Sequence, residues 1–186
     1  MASGSKFKKI KPLINFFVVI NKIIPSKINV QLLVLFRNTP FNLGIMIRYI
    51  LLKNICKRLG DNVIVYSGVV FDAPQMMEIG NNVSINPYCY LAGEITIGNN
   101  VSIAHNTAFH SYNHTWENID QPIRENPLYT RRIYVDDDVW FGCNCVVLSG
   151  VKISKRVVVA AGTIVTKNVE NNSIVAGNPG KVIKRI

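Results

Sequence analysis

Aliphatic and aromatic residues recur every six positions over most of this chain. They fall at Leu59, Val65 and Phe71. After a slip of two residues they continue at Ile79, Ile85, Leu91, Ile97, Ile103 and Phe109. After a longer break they resume at Val135, Phe141, Val147, Ile153, Val159 and Val165. The heptapeptide IGNNVSI occurs at 79–85 and again at 97–103, an offset of 18 residues or three sixes. Four places after each apolar position stands a small or β-branched residue in thirteen of fifteen cases, and the two exceptions, Gln75 and Asn113, adjoin the breaks. A period of six fits neither a 3.6-residue helix nor simple strand alternation. It predicts a short strand and a turn, repeated, so that the chain winds as a solenoid with coils about 4.8 Å apart. Three hexads to a coil give five coils, a prism about 24 Å tall at that spacing. The residue after the inward side chain is often small (Gly60, Gly80, Asn86, Gly98, Ala104, Gly142), which reads as tight-turn geometry.

The pattern before residue 59 is different. Three apolar stretches, Leu13 to Ile24, Ile28 to Phe36 and Phe41 to Cys56, are punctuated by Pro25 and Pro40, each placed where a helix would begin. Asn15, Asn21, Lys22, Arg37 and Arg48 interrupt them, and no run of 18 apolar residues occurs. The stretches suit helices that lie against a protein face or in a membrane interface rather than across a bilayer. No small-residue cleavage site follows Ile24, which argues against a secretory signal. Residues 1–5 read as a tag remnant. The chain thus divides into a helical segment, 1–58, and a solenoid domain, 59–186.

Charge sharpens this division. The formal net charge is +10 over 186 residues, yet residues 1–58 hold 11 Lys or Arg and no acid, the first carboxylate being Asp61. The remainder carries 10 basic and 11 acidic side chains. Cations interleaved with aliphatics read as a surface for anionic lipid. No aromatic-basic recognition motif appears, so nucleic acid is not expected as a partner. With 48% hydrophobic and 17% charged residues the chain is not disordered. Four scattered cysteines form no C-x-x-C pair, which excludes a zinc ribbon and points to a reducing compartment.

From Phe109 to Val135 is 26 residues, so about 20 residues leave the prism, over roughly 110–134. All three histidines, His105, His110 and His114, lie at or just before this excursion. An imidazole titrates near working pH and suits proton removal from a hydroxyl. Glu94 and Glu117 are candidates to orient such a base, as is a backbone carbonyl.

The hexads, together with VWFGCNCVVLSGVKI (139–153), AAGTIVTKNV (160–169) and AGNPGKVIKRI (176–186), resemble the hexapeptide-repeat sugar O-acetyltransferases, in the branch of galactoside, maltose and surface-polysaccharide acetyltransferases. The resemblance covers about 59–186. It implies a mainly β fold, a left-handed parallel β-helix of about five coils with an N-terminal helical segment and one long excursion loop, and a tail at 171–186. It implies a homotrimer with active sites between adjacent prisms, acetyl-CoA as donor, no metal, and a sugar or glycan acceptor, including a lipid-linked one. The NHTWEN stretch matches the family position of the catalytic base, which makes His114 the base and His110 the second candidate beside the acceptor. Asn86 and Trp140 match acceptor-side residues. Gly142, Cys143, Ala161 and Gly162 match a groove for the pantetheine arm. Thr166, Lys167, Lys184 and Arg185, with Lys181 nearby, are cofactor candidates, the cations for its phosphates. The chain departs from the family at Val135-Asp136 and in reading GNPGK where GNPAK is common, which touches cofactor details. The expected location is the cytoplasm, with 6–58 in peripheral contact with the inner face of the membrane.

Three other readings compete. N-acetylation of an amino sugar is the nearest. A solenoid that only binds partners would need neither the loop histidine nor the Thr166-Lys167 pair. A metal enzyme would use the H-x4-H spacing of His105 and His110, but a third histidine one or two coils earlier is missing.

Overall fold

The structure, a computed structural model, describes residues 4–186, so part of the proposed tag remnant, residues 1–3, lies outside the described residues, while Gly4 and Ser5 open the first helix. The hexads build a three-faced parallel β-helix. The first face stacks Arg58–Leu59, Glu78–Ile79, Ile95–Ile97, Ile133–Val135 and Lys152–Ile153. The second stacks Ile64–Val65, Ser84–Ile85, Ser102–Ile103, Val139–Phe141, Val157–Val159 and Ser173–Ala176. The third stacks Val70–Asp72, Tyr90–Ala92, Ala108–His110, Val146–Val147 and Ile164–Val165. Pairs such as Ile79↔Ile97, Ile85↔Ile103 and Leu91↔Phe109 keep like hexad positions one above another. Five coils are complete, as the period requires. A sixth begins at Val169 and ends when Lys181–Arg185 folds back antiparallel on Ser173–Ala176. The fold is the left-handed parallel β-helix expected from the resemblance.

Fourteen of the fifteen hexad residues are buried. Phe71 is half-buried: in the first coil α3 lies against the strands of Leu59 and Val65, while Phe71 stands on the third face. The thirteen small or β-branched partners are buried too, while Gln75 and Asn113 are exposed. The two-residue slip is a 3-10 turn, Pro74–Met76.

The turns work differently from the sequence expectation. The small residue directly after each inward side chain is not the left-handed one. Left-handed φ comes two residues later, at Asn62, Asn82, Asn100, Asp138 and Arg156 on one edge, and at Gly68, Tyr88, Asn106, Asn144 and Gly162 on another. Gly60, Gly80, Gly98 and Gly142 are small because successive coils touch there. A Cβ on Gly80 would stand 2.4 Å from the Gly98 carbonyl oxygen, and one on Gly142 would stand 2.5 Å from the Ala161 nitrogen. Asparagines suit the left-handed site because their amides also bond from coil to coil, Asn62 to Asn82 and Asn82 to Asn100, both at 3.0 Å.

Three helices, α1 (Gly4–Asn21), α2 (Ser26–Leu35) and α3 (Phe41–Ile55), precede the prism, with Pro25 and Pro40 at the N-caps of α2 and α3. Helix α3 lies against the first coil. Its Arg48 is buried and ties the two parts together. Nε donates to the Val65 carbonyl at 3.0 Å, and one terminal nitrogen donates to the carbonyls of Phe36, Arg37 and Thr39 just past the end of α2. The Phe36 carbonyl is the C-cap of α2, where the negative end of the helix dipole also suits a buried cation. Asn21, Asn29 and Asn54 form a second inward network, with Asn21 donating to Asn29 at 2.9 Å and Asn54 donating to Asn21 at 2.6 Å.

Candidate active site

Two edges of the prism carry the candidate chemistry. The edge between the second and third faces holds Asn86, His105, Gly142, Cys143, Ala161 and Gly162, on the second to fifth coils. Gly142 and Cys143 of the fourth coil meet Ala161 and Gly162 of the fifth, where the Gly162 N–H donates to the Cys143 carbonyl at 2.8 Å. Gly162 has φ +74° and open space where a Cβ would stand. A flat strip of backbone with small side chains is what an extended pantetheine arm needs, so these residues fit an acyl-CoA. Lys167 is exposed just beyond the third face of the fifth coil, next to Thr166. Lys184 is exposed on the returning strand opposite Ile174. Arg185 is held within the tail: it donates to Glu170 at 2.6 Å and to the Asn171 carbonyl and Ser173 hydroxyl at 3.1 Å each.

Asn86 donates its side-chain nitrogen to the Ile103 carbonyl at 2.7 Å. Among the described residues its Oδ1 has no hydrogen-bond partner, which leaves that oxygen for a ligand. Trp140 sits on the second face between inward Val139 and Phe141 and is 54% exposed, so it points outward as its place in the hexad requires.

The excursion leaves from the other edge, between the third face and the first. It is a hairpin, with Tyr112–His114 paired antiparallel to Leu128–Thr130 and His114 opposite Leu128. Asn113 donates to the Tyr129 hydroxyl at 3.0 Å, and the Thr115 hydroxyl donates to the Pro127 carbonyl. Buried Asn126 closes the tip by bonding both ways with Asn118 and donating to the Pro122 carbonyl. At the root, buried Ser111 accepts from the Glu94 N–H, and its carbonyl receives Ser149 and the Arg131 N–H. His114 is exposed on this arm. His110 ends a third-face strand and stacks on Tyr90, with ring centroids 5.4 Å apart. The edge of the donor strip and the edge of the histidine arm are therefore opposite ends of one face, and a single prism does not bring them together.

Neither proposed orienter bonds a histidine among the described residues. Glu94 pairs with Arg132 at 3.2 Å, and Glu117 accepts from the Trp116 N–H. Arg132 also approaches Glu78 and donates to Thr96 at 3.1 Å, fixing the point where the chain re-enters the prism. Sequence reasoning missed Tyr90, Asn126 and Arg132. Only Arg132 carried a signal, as a cation beside the resumed hexads.

The buried thiols are poor nucleophiles. Burial pushes Cys89 up to about 11 and raises Cys145 as well. Both act as small core residues whose Sγ donates to carbonyls, Cys89 to Ala104 at 3.1 Å and Cys145 to Gly142 at 3.2 Å.

A parallel β-helix of stacked hexads with a glycine-lined edge is the architecture of a repeat-built transferase. The family model described as bacterial transferase hexapeptide (six repeats) matches residues 76–110. A galactoside O-acetyltransferase of Escherichia coli K12 is 32% identical over 139 residues, spanning 73% of this chain and 67% of that protein. A solved maltose O-acetyltransferase from Clostridium difficile superposes with TM-score 0.75 at 26% identity, covering 91% of this chain and 88% of that one. A galactoside acetyltransferase in complex with coenzyme A superposes with TM-score 0.76 at 27% identity, covering 86% and 80%. The chain belongs to the hexapeptide-repeat acetyltransferases. A shorter likeness, 49% identity over 53 residues, links it to a tetrahydropyridine-dicarboxylate N-acetyltransferase of Staphylococcus aureus, of which it spans 22%.

Proposed function

We propose that this chain transfers acetyl from acetyl-CoA to a hydroxyl of a sugar or glycan, with His114 as general base. The observation that carries the reading is the similarity to galactoside O-acetyltransferase along two thirds of that protein. A coenzyme A complex and an acetyl-CoA complex among the structural neighbours support the donor. When bound, acetyl-CoA supplies an activated thioester carbonyl. Gly142, Cys143, Ala161 and Gly162 would seat its pantetheine arm, and Lys167 and Lys184 its phosphates. Thr166 lines the same end of the prism. Arg185 would contribute by holding the tail strand that carries Lys184.

His114 would accept the acceptor hydroxyl's proton as the oxygen attacks, then return it to the departing thiolate. The products are an acetyl ester and CoA, and no acyl-enzyme is required. That agrees with the burial of Cys89 and Cys145. His110, Asn86 and Trp140 would contact the acceptor. Because His114 and the donor strip lie on different edges, the reaction needs a second prism whose donor edge meets the first chain's arm. Trp116, Ile119, Ile123 and Leu128 on the arm are exposed and apolar, which suits such packing. A homotrimer supplies this arrangement three times.

Incubation with acetyl-CoA and a panel of sugars, nucleotide-sugars and lipid-linked glycans, following free CoA, tests the reading. Acceptor-dependent CoA release with an alkali-labile ester in the product is the expected result. An alkali-stable amide would favour the second reading, N-acetylation, which the Staphylococcus likeness supports. No release with any acceptor would leave a binding solenoid.

A further inference from the structure

The three helices bury one apolar face, with Ile14, Val18, Leu33, Tyr49, Leu51 and Leu52 in the common core, and leave a second apolar face outside. Their buried side chains include Asn21, Asn29 and Arg48, yet twelve large apolar residues between positions 10 and 43 are exposed. On α1, Ile10, Leu13, Phe17 and Ile20 recur at spacings of three and four, which places them in one outward stripe. Buried Ile14, Val18 and Asn21 form the adjoining stripe, about 90° round the helix. Phe16 and Val19 widen the stripe. Beyond α1, Ile23 is 84% exposed, Leu35 71% and Phe41 87%. A cavity of about 870 Å³ opens between Ile10, Phe41, Met46 and the first coil, and extends the same apolar surface inward. Exposed apolar surface of this breadth marks a face that something covers.

Charge selects the occupant. Residues 1–58 contain no acid. Lys8, Lys9, Lys22 and Lys27 are exposed, and among the described residues they make no ion pair. A second copy would bring the same cations against these and be repelled. An anionic bilayer satisfies both features, taking the aliphatic and aromatic side chains into its interface and the lysines at its headgroups. No helix among the described residues is long and apolar enough to cross a membrane, so the helices would lie on it.

We infer that α1, α2 and the start of α3 form a monotopic docking face for an anionic lipid surface. The inference is independent of the acetyl-transfer reading. It does place the prism at a membrane, where a lipid-linked glycan would be met.

The full chain should co-sediment with phosphatidylcholine vesicles that contain phosphatidylglycerol and not with phosphatidylcholine alone, and added salt should release it. Replacing Lys8, Lys9, Lys22 and Lys27 together by Gln should weaken binding by about 10²–10³-fold, at roughly fivefold per cation. The variant Phe16→Ser/Phe17→Ser/Ile20→Ser should lose pelleting while circular dichroism shows unchanged folding, since all three side chains are exposed. Absence of pelleting, or equal pelleting on neutral vesicles, overturns the inference. So does a fall in oligomer mass in the serine variant with no lipid binding in the parent chain, which would assign the face to another copy.

Discussion

The prism and the helices solve burial to different extents. In the prism nearly every hexad sends inward both its apolar residue and the small or β-branched residue four places on, and the six-residue period repeats that choice until the core is continuous. Each coil is satisfied by its neighbours. In the helices, Ile14, Val18, Leu33 and Leu52 point in beside the hydrogen-bonded Asn21, Asn29 and Arg48, while Phe16, Ile23, Leu35 and Phe41 point out as a second apolar face. Polar groups on the inside are tolerable because their partners are there, backbone carbonyls for Arg48 and one another's amides for the asparagines. Contiguous apolar groups on the outside are unusual and mark a candidate contact surface. The prism core is closed by its own coils, whereas the helical segment leaves one apolar face exposed.

Substitutions can break this comparison, beginning with the largest effect. Phe141→Ala removes a fully buried ring packed edge-on against Phe109, and should cost about 3–5 kcal/mol in chemical denaturation. Arg48→Met should cost about 3 kcal/mol, because four carbonyl bonds from a buried cation are lost at once. Its signature should be early melting of helical signal, with the β-helix transition preserved. Gly80→Ala should cost about 1–3 kcal/mol by forcing adjacent coils apart, although the new methyl is small. Phe16→Ser, which deletes a ring as large as that of Phe141, should change stability by no more than about 0.5 kcal/mol. A cost for Phe16→Ser comparable to that for Phe141→Ala would erase the distinction between the two regions.

The period made the prism legible. It fixed which residue of each six points inward, located the slip and the excursion, and counted the coils. The turn chemistry was read two residues out of place. A small residue after an inward side chain suggests a tight turn, but close stacking of coils demands small residues equally. Only the backbone reveals that Gly80 serves contact and Asn82 the left-handed turn. Inside the excursion, strands three residues long have no period to detect, so the pairing of His114 with Leu128 and the closure by Asn126 had no signal. The prolines located the starts of α2 and α3. They could not tell which face of a helix rich in apolar residues would turn outward. The donor strip and the base were each readable as residues. Their separation on two edges became visible only when the coils were stacked.

Steady-state acetyl-CoA turnover of the His114→Ala chain, beside His110→Ala and the parent, addresses the central claim. His114→Ala should lower turnover by about 10²–10⁴-fold with folding and oligomer mass unchanged, while His110→Ala keeps most of the rate. Near-parental turnover in His114→Ala, with the loss appearing in His110→Ala instead, would contradict it.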